Sequence, residues 1–304
     1  MIRMPDDAKS RKLLRGCGTA LVTPFTEAGD LDEAALRRFV EWQLSEGIHF
    51  VVPCGSTGEA ATMTAGEHRR VVEITVEQVN GRVPVAAGAG SNDTKKAIAT
   101  SKEMKSAGAT HLLHTSPMYN KPPQRGIVAH FRAIADAVDL PLIVYNVPGR
   151  TGSNVEAATT LELAEHENIT AVKEASGNLA QIAEILRNRP RDFTVLSGDD
   201  ALTLAVMAEG GDGVISVTSN ALPRLAAQLT ELCDAGDMEG ARSVAHRLAA
   251  WTTAAFVESN PLPAKAALAM LGKMRNVLRL PLVPLAGSHE ETVRAALRRA
   301  GALA

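Results

Sequence analysis

The sequence predicts an α/β chain folded as a (β/α)8 TIM barrel with a C-terminal helical appendage. Short β-branched or apolar runs alternate with longer segments of helical period from residue 18 onward, and Gly, Pro and Asn fall at the junctions. The alternation stops near residue 236. Eight strand–helix units in roughly 220 residues suit a barrel whose usual length is about 250. The alternative is a doubly wound open sheet, which normally has fewer strands and opens on a G-x-G-x-x-G turn; "GAGSND" after the third run lacks that pattern and reads as a tight turn.

In order, the predicted strands are "GTALVTPF", "FVVPC", "VPVAAGAG", "HLLHTSP", "PLIVYNVP", "ITAVKEAS", "FTVLSGDD" and "GVISVTSN". Between them, segments such as "DEAALRRFVEWQLSEG" and "AGEHRRVVEITVEQV" carry apolar residues three and four apart with charges opposite, as helices covering a parallel sheet do. Beyond residue 236, "MEGARSVAHRLAAWTTAAFVE", "LPAKAALAMLGKM" and "ETVRAALRRAGALA" read as helices. The expected organisation is a tail over 1–15, a catalytic barrel over 16–236 and a helical region over 237–304.

Composition narrows the function. The chain has 304 residues, 45% hydrophobic and 22% charged, enough for a sizeable core. A formal charge of -2, without long runs of one sign, gives no reason to expect nucleic acid or a membrane as partner. Cys17, Cys54 and Cys233 are few, odd in number and far apart, which suits a reducing cytoplasm better than a disulfide framework. The polar start "MIRMPDDAKSRKLLRG" has no apolar stretch of signal-peptide length, and no later segment supplies about 18 uninterrupted apolar residues.

In such a barrel, reactive groups collect at the C-terminal ends of the strands. The sixth run places Lys173 and Glu174 where an apolar residue should follow "ITAV". Period 2 puts Lys173 on one face with Ile169 and Ala171, pointing into the barrel mouth. A lysine amine free in water is almost wholly protonated at neutral pH, and a nucleophilic role calls for the partial desolvation a barrel interior provides. The plainer reading is a rim lysine paired with a carboxylate. The chain's only tyrosines, Tyr119 and Tyr145, both sit at strand ends, where their hydroxyls could pass protons through Thr57 of "GSTGE"; each could equally be an amphipathic packing residue. The "GSTG" turn, with Ser56 and Thr57, is the kind of cradle that holds a carboxylate, although such clusters are often only turns. Arg150 could pair bidentately with a second carboxylate, or be a solvated loop residue.

A metal site finds little support. His111 and His114 lack a spaced third ligand and fall on opposite faces, and the aspartates of "SGDD" are expected to cap the following helix.

The segments "GSTGEAATM", "SPMYNKPPQRG", "YNVPGRTG", "AVKEASGN", "LSGDD", "GVISVTSN" and "ESNPLPAK", in this order, resemble the dihydrodipicolinate synthase and N-acetylneuraminate lyase superfamily of pyruvate-dependent class I aldolases. The likeness covers nearly the whole chain beyond residue 15. It implies that Lys173 forms a Schiff base with pyruvate, with no separate cofactor and no metal. Tyr145, Thr57 and Tyr119 would carry protons, Tyr119 reaching in from a neighbouring subunit. Ser56 and Thr57 would hold the pyruvate carboxylate, with backbone groups of Gly198 and Ile215 lining the pocket. The "YNVPGRTG" loop is similar to the synthase branch, in which the arginine, here Arg150, binds the carboxylate of L-aspartate 4-semialdehyde on the diaminopimelate route to lysine; "GSTGE" with its serine is closer to the lyases.

The resemblance also implies a homotetramer built as a dimer of dimers. At positions where lysine-inhibited relatives hold the effector, this chain has Met118, Ala65 and Lys96, while His68 and Asn92 remain, so weak or absent inhibition by lysine is expected. Two other readings stand beside the synthase: a different Schiff-base aldolase acting on a sugar acid or hydroxy-oxo acid, and a catalytically silent metabolite-binding barrel.

Overall fold

The computed structural model describes residues 13–303. Residues 1–12 of the expected tail lie outside the described residues. Eight parallel strands are present: β1 (Gly16–Ala20), β2 (Phe50–Val52), β3 (Ala86–Gly88), β4 (His111–Thr115), β5 (Leu142–Asn146), β6 (Ile169–Glu174), β7 (Thr194–Ser197) and β8 (Gly213–Ser216). Strand β1 starts at Gly16, ahead of its predicted run, because its amide there donates to Asp212 O at 2.8 Å and begins the pairing with β8. The other strands lie within their predicted runs.

The hydrogen-bonded order runs β2-β1-β8-β7-β6-β5-β4-β3. The remaining seam is bridged where Val51 pairs with Val85, the Val51 amide donating to Pro84 O (3.1 Å) and the Gly88 amide to Pro53 O (2.9 Å). A Cβ on Gly88 would stand 2.1 Å from Cys54 O, so closure here needs glycine. The sheet is thus a barrel, as predicted.

Around it lie α1 (Glu33–Ser45), α2 (Ala65–Val79), α3 (Thr94–Ser106), α4 (Gln124–Ala137), α5 (Ala157–Ala164), α6 (Leu179–Asn188), α7 (Thr203–Ala208) and α8 (Pro223–Asp234). Several begin at a side chain that accepts an otherwise orphan amide: Asp32 for α1, Asp93 for α3, Asn178 for α6, and a reciprocal Thr64–Glu67 box for α2. The C-terminal region adds α9 (Met238–Ala254), α10 (Leu262–Met270) and α11 (Gly287–Arg299). Trp251 of α9 is fully buried, and its Nε1–H donates to Thr218 O at 3.0 Å, fixing this region to the segment after β8.

The inner cluster, which includes Phe50, Leu113, Ile143, Tyr145, Ala171 and Ile215, fills the barrel, and Leu14 packs with it. One expectation fails. Ile169 packs with the outer cluster and Ala171 with the inner one, so they do not share a face. The register of β6 against β5 slips between Leu142↔Ile169 and Ile143↔Ala171, leaving Thr170 as the extra residue of a bulge. Period 2 resumes after it, and Lys173 still follows Ala171 inward.

Candidate active site

Lys173 and Tyr145 stand opposite each other across the β5–β6 ladder, 5% and 7% exposed, with Lys173 Nζ 4.1 Å from the centre of the tyrosine ring. The amine predicted at the strand end is therefore inside the barrel, with no carboxylate bridged to it among the described ion pairs. Gly198, just past β7, makes the room. A Cβ there would lie 3.0 Å from Lys173 Cγ, 3.1 Å from its Cε and 2.8 Å from Ala175 Cβ. Ile215 is fully buried in the same inner cluster as Tyr145.

Glu174, the next residue, points the other way, as strand alternation requires. Its buried carboxylate accepts from Asn146 Nδ2 (3.1 and 3.0 Å), Gln181 Nε2 (3.1 Å) and the Ser176 amide (2.8 Å). Asn146 also accepts the Val155 amide and donates to Asn154. This network ties the ends of β5 and β6 to α6 behind the reactive face. Sequence reasoning gave Glu174 and Asn146 no role, because their partners are remote in the chain.

After β2, a short helical turn over Ser56–Gly58 is bracketed by Cys54 and Glu59, both with left-handed backbones (φ 58° and 57°). Such φ values in non-glycine residues mark a turn held by its surroundings. The holders come from the C-terminal region. Asn260 Nδ2 donates to Thr57 Oγ1 at 2.8 Å, and Lys265 Nζ lies 2.5 Å from Glu59 Oε1. Lys265 is wholly buried, donates to Val277 O (2.7 Å) and sits over the Phe25 ring. Burial pushes its amine down to about 8, against the opposing pull of Glu59. Arg279 completes the lattice, its amide donating to Glu59 Oε2 and its guanidinium pairing with Glu67.

Thr57 is buried while Ser56 is exposed. Thr57 was expected to link two tyrosine hydroxyls; in this chain its hydrogen bond goes to Asn260, and it makes none to Tyr145 or Tyr119. Arg150 lies exposed on the helical turn Pro148–Thr151, and its Nη2 donates to the Asn260 carbonyl at 3.4 Å. Tyr119 is apart from the rest. It is 88% exposed with φ 72°, its amide donating to Thr151 O. Asn260, Glu59 and Lys265 were missed as contributors, although Lys265, a lone charge within the apolar "LPAKAALAM", was a legible sign of a buried partner.

The two aspartates after β7 divide their work. Asp199 caps the following turn through the Ala201 amide, as expected. Asp200 does not cap: it accepts from Thr218 Oγ1 (2.8 Å), Ser216 Oγ and the Val217 amide, stitching β7 to the segment after β8. Burial raises its carboxyl above the usual range, against these hydrogen bonds. His114 faces outward to Ser101 of α3 (3.0 Å).

The sequence profile of the dihydrodipicolinate synthetase family matches residues 13–300. A 4-hydroxy-tetrahydrodipicolinate synthase of Koribacter versatilis is 50% identical over 291 residues, covering 95% of this chain and 97% of its own. Among solved structures, a chloride-inhibited dihydrodipicolinate synthase from Acinetobacter baumannii complexed with pyruvate superposes with a TM-score of 0.94 at 39% identity, covering 96% of this chain and 100% of its own. A dihydrodipicolinate synthase from Cyanidioschyzon merolae with lysine bound gives 0.93 at 43% identity, covering 95% and 99%. With a profile spanning nearly all its described residues and a relative identical at half the aligned positions, the chain belongs to the dihydrodipicolinate synthetase family.

Proposed function

We propose that the chain condenses pyruvate with L-aspartate 4-semialdehyde to 4-hydroxy-tetrahydrodipicolinate, as a class I lyase that uses Lys173 as its nucleophile. The observation that carries this reading is a lysine amine buried at the end of β6, over the Tyr145 ring, in space kept open by Gly198. The neutral amine adds to the carbonyl carbon of pyruvate, and the carbinolamine loses water to give an iminium. The iminium withdraws electrons, so the pyruvate methyl loses a proton and becomes an enamine carbon. That carbon attacks the aldehyde, whose oxygen takes up a proton. The amine of the condensed semialdehyde then adds to the imine carbon and displaces Lys173, closing the ring and freeing the enzyme.

Tyr145 is the proton carrier nearest the amine, and Thr57 and Tyr119 extend the relay. Tyr119 of this chain serves a second copy, whose own Tyr119 serves this one. Its exposed ring on a left-handed backbone supports that role, since neither feature gains anything in an isolated chain. The assembly is then at least a dimer, and a dimer of dimers under the family reading. Ser56 and Thr57 hold the pyruvate carboxylate, with the backbone of Gly198 and Ile215 beside it, and Arg150 receives the carboxylate of the semialdehyde. Pyruvate itself supplies the electron sink, so no further cofactor enters the reaction. The cytoplasm, where both substrates are made, is the proposed location; among the described residues no helix is long and apolar enough to cross a membrane.

Intact-protein mass after adding pyruvate and borohydride tests the mechanism. One reduced pyruvate adduct is expected on the wild type, absent from Lys173→Ala and consumed when the semialdehyde is added before borohydride. An adduct indifferent to the semialdehyde would indicate another aldehyde partner, such as a sugar acid. No adduct at all would leave the non-catalytic barrel as the reading.

A further inference from the structure

Two side chains of one short C-terminal stretch reach the turn after β2: Asn260 meets Thr57 and Lys265 meets Glu59. The ion pair fixes where the turn sits. The amide does something more specific. A threonine hydroxyl carries one hydrogen and two lone pairs. Asn260 Nδ2 donates to Thr57 Oγ1 at 2.8 Å, so one lone pair is taken and the hydrogen must point elsewhere. Asn260 is buried, and its Oδ1 is left without a donor, so the amide gains no second contact to justify its placement.

We propose that Asn260 is a positioning residue for pyruvate binding: by donating to Thr57 Oγ1 it commits that hydroxyl's hydrogen to the barrel mouth, where the substrate carboxylate accepts it. This rests on the proposed reading that Thr57 holds the carboxylate. It separates the two substrates. Arg150, the proposed receiver of the semialdehyde, is held by the backbone carbonyl of Asn260, which a side-chain substitution leaves in place. Loss of the Asn260 amide therefore weakens pyruvate and spares the semialdehyde.

A double-mutant cycle over Asn260→Ala, Thr57→Val and the pair tests it, read as KM for each substrate, kcat and the borohydride-trapped adduct at limiting pyruvate. One neutral hydrogen bond is worth on the order of 1 kcal/mol, or about fivefold in affinity. Asn260→Ala is expected to raise pyruvate KM about fivefold, with kcat and semialdehyde KM within about twofold. In the Thr57→Val background the same change is expected to add nothing. A full additive effect there, or equal damage to both substrates, would overturn the proposal and leave Asn260 a structural residue. Asn260→Asp keeps the shape but can only accept, which turns the Thr57 hydrogen inward; a pyruvate KM above that of Asn260→Ala is expected, and a wild-type KM would also overturn the proposal. A wild type that traps no pyruvate would instead sink the Schiff-base reading and this inference with it, an outcome distinct from additivity on an active enzyme.

Discussion

At Gly198 the demand on a single residue is steric. Nothing in "LSGDD" shows that a side chain here would meet Lys173, which lies 25 positions earlier. In the folded barrel a Cβ at Gly198 comes within 3.1 Å of Lys173 Cε and within 2.8 Å of Ala175 Cβ, closer than carbon atoms pack. Overpacking of this kind costs about 1–3 kcal/mol, and the yielding group is the flexible lysine. Displacing a reacting atom by about 1 Å can lower rates on the order of 100-fold. Gly198→Ala is therefore expected to fold, with a modestly lowered Tm, and to lose turnover on that order in a steady-state assay. An alanine variant with wild-type kcat would show that the amine has slack. Lys173 and Tyr145 were legible as residues because an amine and the chain's scarce phenols fell at predicted strand ends. Asn260 was not, since its amide matters only through a hydroxyl 203 positions away.

At the scale of elements, β4 and its covering helices α3 and α4 carry a buried polar pair. His114 of β4 bonds Ser101 of α3, and His130 of α4 bonds Thr94 at 2.9 Å. Burial pushes His114 down to about 3, helped by the neighbouring His130, and pushes His130 down to about 4 against the pull of Asp93. Both imidazoles are neutral in the fold at neutral pH. An unfolded histidine, near pH 6.5, takes up a proton before the folded one does, so stability is complete above about pH 6.5 and falls as pH drops below it. For His114 alone the loss at about pH 4.5 is on the order of 3 kcal/mol. Urea midpoints measured from pH 7 to 4.5 are expected to fall steeply, and less steeply in His114→Gln. Equal slopes would assign the acid sensitivity to other groups. The helical periods that predicted these elements were readable from apolar spacing, whereas the β6 bulge at Thr170 was not: "ITAVKE" reads as an unbroken alternation, and the slip appears only in the pairing with β5.

Across the whole molecule, the question is which surfaces answer to other molecules. The relative from Cyanidioschyzon merolae was solved with lysine bound. In this chain Lys96 is exposed in the first turn of α3, and Asn92 donates to the Met118 carbonyl at 3.2 Å beside the exposed Tyr119. A lysine amine at Lys96 repels an effector of the same charge, and Met118 offers no hydroxyl to it. Activity is expected to persist at millimolar lysine, and half-inhibition at submillimolar concentration would refute this.

The alternating runs of sequence determined the barrel, because burying both faces of a parallel sheet demands that order of strands and helices. Motif residues at the strand ends determined the chemistry on offer. Tertiary structure alone decided which groups meet. It set Lys173 against Tyr145, freed space at Gly198, paired Lys265 with Glu59 and aimed Thr57 through Asn260. Local patterns record which face a residue takes; close contact between remote residues depends on how the barrel closes and on where the C-terminal helices lie across it, and no local period encodes that.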